Sequence, residues 1–371
     1  MKPQILIDFS PVKKGGALQL ASNFFHQLSI QNEHQADYYL LIPHNFTLDH
    51  FIEAKFIKGI FITPLNPIKR IVFENFTLQK IINKHKISKI LTFIGSGLPH
   101  PKNVVSVIGI AYPSICFPES EHFNHLPKSK KITKKIFDWL RIKRIQKANG
   151  IFVETDLMKN RLAKFAKIPL NKITIIPPTC SDYLLIDNEI QKEDKILLLS
   201  SNYYHKNLWR FYEIAKLLND QNFKIKFTLT ITKQDWLESL SEKNINQGLI
   251  NEYFEFLGSV NPQDISELYN KSKLLMLISD LESFSSNHPE AWKARVPQIL
   301  SDRIFMREVC KDSAIYVNPH NPAEVANSII KLLNNQELQQ KLINNGEKLL
   351  AELPSQKERT NKILTFLSNT N

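Results

Sequence analysis

The stretch KLLMLISDLESFSSNHPEAW, residues 273–292, decides how the rest of the chain reads. Its first part, Lys273–Ser279, is an apolar run of strand length, the pattern of a strand buried in a parallel sheet. Near its end stands Pro289, which suits the first turn of a helix because its missing N–H is not needed there. Between them lies a polar turn of Ser, Asn and His bracketed by Glu282 and Glu290. Strand, turn and helix in that order make one βα unit. In an open parallel sheet ligands sit beyond the carboxyl ends of the strands, and Glu282 falls a few residues past such an end.

The same rhythm runs in both directions from this unit. Upstream, QILIDFS, DYYLLIP, ISKILTFIG, NVVSVIGI and GIFVE read as strands, and Ala17–Ile30 has apolar residues at helical spacing. A break follows at Thr174–Asp194, where two prolines lead into a polar stretch. The alternation then restarts with KILLLSS, a helix opening at about Asn207, and the strands IKFTLTI, FEFLGSV, VPQILS and AIYVNP. The expected fold is therefore α/β, with two Rossmann-like domains at 1–182 and 183–354. An amphipathic helix over 355–371 completes the chain and is expected to pack towards the first domain.

Composition bounds the rest. The chain has 371 residues, 43% hydrophobic and 23% charged, which is ordinary for a globular protein of two domains. The N-terminus reads as a first strand rather than a signal peptide, and no apolar run approaches the roughly 20 residues that span a bilayer. Cys116, Cys180 and Cys310 have no paired spacing, which fits a reducing cytosol. The net charge of +12 is unevenly spread. Residues 1–180 hold 26 Lys/Arg against 11 Asp/Glu, or +15, and the remainder 22 against 25, or −3. Such asymmetry points to a polyanionic neighbour on one side.

The chemistry gathers around two loops. A carboxylate accepts about four hydrogen bonds, and the vicinal hydroxyls of a ribose or hexose present paired donors to it. Glu290 is placed to take a ribose diol and Glu282 to take sugar hydroxyls. A helix-capping acid and a surface acid fit the spacing as well. Free N–H groups from Ser285 to His288 would receive a diphosphate. Lys206, after the strand KILLL, is placed to meet that phosphate, although a solvated helix-start lysine is the commoner fate. Gly15-Gly16 after the first strand allows close backbone approach, and equally suits a plain turn.

Taken together, these stretches resemble glycosyltransferase family 4, retaining enzymes of the GT-B fold, whose two domains face a central cleft. The E-x7-E loop reads as Glu282 and Glu290, and the helix start as His205-Lys206-Asn207. The resemblance is strongest from about residue 149 to 335, and the ESFSSN form with Trp292 looks most like bacterial transferases of O-antigen or capsule assembly. It implies roles. Lys206 would neutralise the donor diphosphate, and Ser283, Phe284, Ser285 and Ser286 would contact phosphate and sugar. Glu290 would hold the ribose, Glu282 would touch the transferred sugar, Val260 would lie against the nucleobase, and Gly15 and Gly16 would line the donor. The reaction would move a hexose-type sugar with retention onto a lipid-linked or polysaccharide acceptor. No cofactor and no obligatory metal are implied. Two departures stand out. The family's Arg before the Lys is replaced by Ser200 and Ser201, leaving helix N–H groups, Arg303 or Lys13 to compensate. The acceptor-side His is replaced by about Tyr112.

Residues 128–148 carry nine Lys/Arg and one Asp, with Ile132, Ile136, Trp139, Leu140 and Ile145 at helical spacing. Either this stripe packs on the first sheet with its lysines solvated, or the Lys128–Lys147 region lies on an anionic membrane at the inner face of the cytoplasmic membrane. Nucleic acid is not an expected partner, since no RNA-binding aromatic signature, zinc finger or helix-turn-helix accompanies the high pI. A non-catalytic sugar- or polyanion-binding protein of the same fold, or a basic nucleic-acid-binding protein, remains the alternative. His122 and His125 near Cys116 lack the second pair a metal site needs.

Overall fold

Thirteen strands, all paired in parallel among the described residues, form two sheets. The computed structural model describes residues 2–12, 15–31, 33–44, 46, 55–187, 189–240 and 244–371, with the side chain of His125 excepted. The first sheet holds β1 (Gln4–Asp8), β2 (Asp37–Pro43), β3 (Ile57–Thr63), β4 (Lys89–Thr92), β5 (Val105–Gly109), β6 (Gly150–Val153) and β7 (Ile173–Ile175) in the order β3-β2-β1-β4-β5-β6-β7. The second holds β8 (Glu193–Leu198), β9 (Lys226–Leu229), β10 (Phe254–Phe256), β11 (Ser272–Leu277), β12 (Gln298–Ser301) and β13 (Ala314–Val317) in the order β10-β9-β8-β11-β12-β13. Each order reverses once, between β1 and β4 and between β8 and β11. Such reversal points open a crevice at the strands' carboxyl ends.

The strands read from sequence are present, most of them ending earlier than read. Strand β3 is an addition: Gly59 and the two lysines in its neighbourhood dilute the apolar pattern of FIKGIFIT, and the strand is an edge. The helix expected from Asn207 begins instead at Phe211. Asn207 sits in the left-handed region at φ 58°, so it separates two short turns rather than starting a helix.

The residues divide into two compact units. The first comprises Met1–Pro118, Leu126–Pro178 and Pro354–Asn371, and the second Glu119–His125 and Thr179–Leu353. The short segment Glu119–His125 joins the second unit, which no composition change announces. The C-terminal helix Gln356–Asn369 starts with a capping box between Ser355 and Glu358 and belongs to the first unit. Lys89 Nζ donates to the carbonyls of Leu367, Ser368 and Thr370 at 2.7–2.9 Å, closing that helix's free end. Buried Arg359 donates to Pro177 O at 3.1 Å.

In the second unit the helix Asn287–Lys293, which carries Glu290, rests on the Gln336–Ala351 helix at one position without a side chain. A Cβ at Gly346 would meet Trp292 Cδ1 at 2.4 Å. Gly346→Ala should therefore destabilise the protein by about 1–3 kcal/mol through overpacking, read as a lower urea midpoint at unchanged slope.

Candidate functional site

Lys206 follows β8 and Glu282 follows β11, the two strands that flank the reversal point of the second sheet. Their side chains form an ion pair between Lys206 Nζ and Glu282 Oε1. Both are largely withdrawn from solvent, with side-chain exposures of 17% and 12%. Burial pushes the Glu282 carboxyl up, and the adjoining ammonium and its hydrogen bond more than offset this, holding it below the ordinary carboxylate range. The loops bearing the pair are stitched together. Asn207 Nδ2 donates to Ile278 O and to Asp280 Oδ2, each at 2.9 Å, and Asp280 N donates to His205 O at 2.8 Å. The left-handed turn at Asn207 aims this buried amide at β11.

Glu290 is 2% exposed. Its Oε1 accepts from Ser181 Oγ at 2.9 Å and Tyr183 OH at 3.2 Å, and its Oε2 accepts from Tyr269 OH at 3.2 Å. Burial raises its pKa above the usual carboxylate value, against these three hydroxyls and Lys293. Both acids of the loop are thus interior groups, and the reading of a capping acid plus a surface acid does not hold. Ser181 and Tyr183 come from the segment just after the domain break and Tyr269 from another helix, so no local spacing signals their convergence.

Between the acids, Ser283 is buried while Phe284, Ser285 and Ser286 are half-exposed. The expected row of free amides is partly consumed: Asn287 N donates to Ser285 Oγ at 3.4 Å and His288 N to Ser285 O at 3.2 Å. His288 is fully enclosed, with Nδ1 2.8 Å from Gln298 Oε1, and burial pushes its pKa down to about 4. Burial, then the Lys206 charge, does the same to His205. A histidine neutral in the fold but basic when unfolded contributes stability that is complete above its unfolded pKa near 6.5 and is lost as pH falls towards 4. Glu290 opposes this trend, since its folded pKa is raised. We expect melts between pH 7 and pH 4.5 to show stability falling, by up to about 3 kcal/mol from His288 alone, and His288→Gln to flatten that slope.

Arg303, proposed from sequence to replace the missing arginine, has a partner already. Its Nη2 donates to Asp280 Oδ1 at 2.8 Å, and His320 Nε2 lies 2.9 Å from the same oxygen. Arg210 Nη2 reaches His320 Nδ1 at 2.7 Å and its guanidinium covers the Trp209 ring at 4.2 Å. This Asp280-centred cluster of Arg303, His320 and Arg210 was not singled out in the sequence, because its contacting members lie 23 to 110 residues apart. Lys13 lies outside the described residues. Ser200 N donates to Thr230 Oγ1 at 3.1 Å, and Ser201 is exposed.

The remaining expected residues are placed as follows. Gly15, at φ 68°, precedes the Gly16–Ser29 helix in the first unit, and a Cβ on either glycine would meet nothing within 4 Å. The positive φ of Gly15 gives a conformational reason for that glycine. Val260 lines a cavity of about 330 Å³ with Lys195, Thr228, Glu255, Asp264 and Lys271 among others, and none of the other expected donor residues lines it. Tyr112 lies in the first unit, its OH accepting from Arg141 Nη1 at 2.8 Å. Among the described residues no group of three or more His, Cys, Asp or Glu is placed to hold a metal.

The Lys128–Gln146 helix is turned opposite to the packing its apolar stripe suggests. It buries Asp138, held by Lys134 Nζ at 2.5 Å and Arg141 Nη1 at 3.1 Å, together with Ile145. Ile132, Ile136, Trp139 and Leu140 are exposed. Burial of the stripe therefore holds for Ile145 and fails for the other four. No described helix is long and apolar enough to cross a membrane.

Residues 185–349, which include Lys206, Glu282 and Glu290, match the family model described as Glycosyl transferases group 1. The matched residues lie within the second unit. In sequence, this chain is 25% identical over 188 residues to the O-antigen chain mannosyltransferase RfbU of Salmonella typhimurium, covering 51% of this chain and 52% of RfbU. It is 27% identical over 125 residues to the serotype-specific mannosyltransferase WbdA of Escherichia coli, covering 33% of this chain and 15% of WbdA. The chain thus spans about half or less of the length of these relatives. Solved structures extend the likeness of fold beyond the group 1 domain. WaaG, a glycosyltransferase involved in lipopolysaccharide biosynthesis, superimposes with a TM-score of 0.74 at 14% identity, over 98% of this chain and 100% of WaaG. HepE of Anabaena in complex with UDP and glucose gives 0.72 at 14% identity, over 98% of this chain and 99% of HepE. Sucrose-phosphate synthase of Thermosynechococcus elongatus gives 0.75 at 13%, over 99% and 98%. The fold is the two-domain α/β architecture of these GT-B neighbours.

Proposed function

We propose that this protein is a retaining glycosyltransferase that moves a hexose-type sugar from a nucleoside-diphosphate donor onto a lipid-linked or polysaccharide acceptor in cell-surface glycan synthesis. The observation that carries the reading is the Lys206–Glu282 pair at the reversal point of the second sheet, within the residues matched by the group 1 family. The relatives named for O-antigen and lipopolysaccharide synthesis support the class of product.

The chemistry follows from charge. When the anomeric C–O bond breaks, its electrons pass to the diphosphate, and negative charge builds there. A preorganised ammonium at that oxygen stabilises the transition state more than the ground state. Glu282 holds the Lys206 side chain in place while the donor is absent. When a diphosphate arrives the ammonium turns to it, and Glu282 becomes an acceptor for sugar hydroxyls. Phe284–Ser286, the half-exposed tip of the loop, is the part open to phosphate and sugar. Glu290 meets the ribose diol by exchanging one of its present hydroxyl partners for a sugar hydroxyl. The acceptor oxygen attacks from the leaving-group face and gives its proton to the departing phosphate, so no protein nucleophile and no metal are required. The basic first half, and the Lys128–Gln146 helix with Ile132, Ile136, Trp139 and Leu140 outward, hold the protein on the inner face of an anionic cytoplasmic membrane where a lipid-linked acceptor lies.

A thermal-shift screen of the full chain against UDP, GDP, ADP and their sugars tests the donor assignment. A bound nucleotide at about 100 times its dissociation constant adds about 2.7 kcal/mol of stability. A shift with one base family, lost in Lys206→Ala, is expected. No shift with any of them contradicts the reading, and a shift without sugar transfer or hydrolysis favours a non-catalytic sugar binder.

A further inference from the structure

The helix Pro67–Val72 and its continuation Phe73–Thr77 bury only Glu74. The Glu74 carboxylate lies between two guanidiniums, Arg70 Nε at 2.9 Å within its own segment and Arg144 Nη2 at 2.9 Å on the Lys128–Gln146 helix. This triad, with its carboxylate buried and its two guanidiniums part-exposed, joins the two helices inside the first unit. Both are built the same inverted way, with ion-paired carboxylates inward and apolar side chains outward. Ile68, Ile71 and Phe76 are 73%, 57% and 66% exposed, and Ile132, Ile136 and Trp139 are 61%, 55% and 58%. Several apolar side chains left outward on two helices tied by an ion pair mark an interaction site where single exposed apolar residues do not.

The rim selects the occupant. Lys69 flanks the first group, and the Lys128–Gln146 helix adds Lys128, Lys130, Lys131, Lys135 and Lys143 besides the three cations that pair with Asp138 and Glu74. A second copy of the chain would set these cations against one another. An anionic lipid surface supplies the opposite charge, and its headgroup boundary accepts branched and aromatic side chains. We propose that Pro67–Thr77 and Lys128–Gln146 form one composite surface that inserts into an anionic bilayer, with Arg70–Glu74–Arg144 fixing the two helices to each other. The inference rests on the membrane association proposed above and adds a second inserting element, one whose own sequence has too little charge to announce it.

Co-sedimentation of the full chain with vesicles tests it. The wild type should bind phosphatidylglycerol-containing vesicles and not pure phosphatidylcholine. Ile68→Glu/Ile71→Glu should lower the partition coefficient at least about tenfold, as should Ile132→Glu/Ile136→Glu, because each pair places two charges where apolar side chains enter lipid. These positions are exposed, so melting temperatures should stay unchanged. Wild-type binding by Ile68→Glu/Ile71→Glu, with loss in the other pair, overturns the composite surface and leaves membrane association standing. Absence of vesicle binding by the wild type removes both. A wild-type dimer that Ile68→Glu/Ile71→Glu converts to monomer, with vesicle binding unaffected, assigns the surface to a protein interface and also overturns the proposal.

Discussion

Lys206→Ala should lower sugar transfer by about 10²–10³-fold, the usual loss when one preorganised charge donor is removed from a developing oxyanion. It should also destabilise the fold by about 1–3 kcal/mol, because Glu282 is left buried without its counter-charge. The two effects separate in the double variant Lys206→Ala/Glu282→Gln. Neutralising the glutamate removes the uncompensated charge, so stability should return towards the wild type. Activity should not return, because the ammonium is still missing at the leaving group. Urea midpoints and initial rates on the same preparations measure both. If the double variant recovers rate along with stability, Lys206 is a structural partner of Glu282 and nothing more.

Glu290→Ala should be the most destabilising single change in the loop, by about 2–4 kcal/mol. It empties a buried volume and strands the hydroxyls of Ser181, Tyr183 and Tyr269 at once. Tyr269→Phe, which removes one donor and leaves its ring, should cost only about 1 kcal/mol. Glu290→Gln is the informative substitution. Its amide keeps the shape and one acceptor oxygen, so most of the fold's stability should survive, and it halves what a ribose diol can donate to. We expect it to keep its melting temperature within a few degrees of wild type in buffer while losing most of the nucleotide-induced shift. A full shift in Glu290→Gln would make this acid a pillar of the fold with no part in nucleotide recognition.

These outcomes bear on what the sequence carries. The apolar runs of Lys273–Ser279 and its counterparts specify buried parallel strands, since only a strand covered on both faces wants so unbroken a pattern. The Glu282 loop was legible for the same reason: a polar turn between a strand and Pro289 has few other places to sit. What surrounds the acids was not. Ser181, Tyr183 and Tyr269 reach Glu290 from far along the chain, and Asp280 gathers Arg303 and His320 by tertiary packing alone. Helix position was misjudged at Asn207 because its left-handed φ depends on the buried contact its amide makes with Ile278 and Asp280. The sequence of Lys128–Gln146 leaves burial and exposure of its stripe both open, because periodicity reports that a helix has two faces and does not report which one meets the protein.

The account stands on the site at which the second sheet binds a nucleoside diphosphate. A crystal structure of the full chain soaked with the nucleotide that gives the largest thermal shift tests it most directly. The predicted result is a diphosphate beyond the carboxyl ends of β8 and β11, with an oxygen within hydrogen-bonding distance of Lys206 Nζ and the ribose against Glu290. A nucleotide held at the carboxyl ends of β1 and β4, or in the cavity beside Val260 with Lys206 still bound only to Glu282, would contradict it.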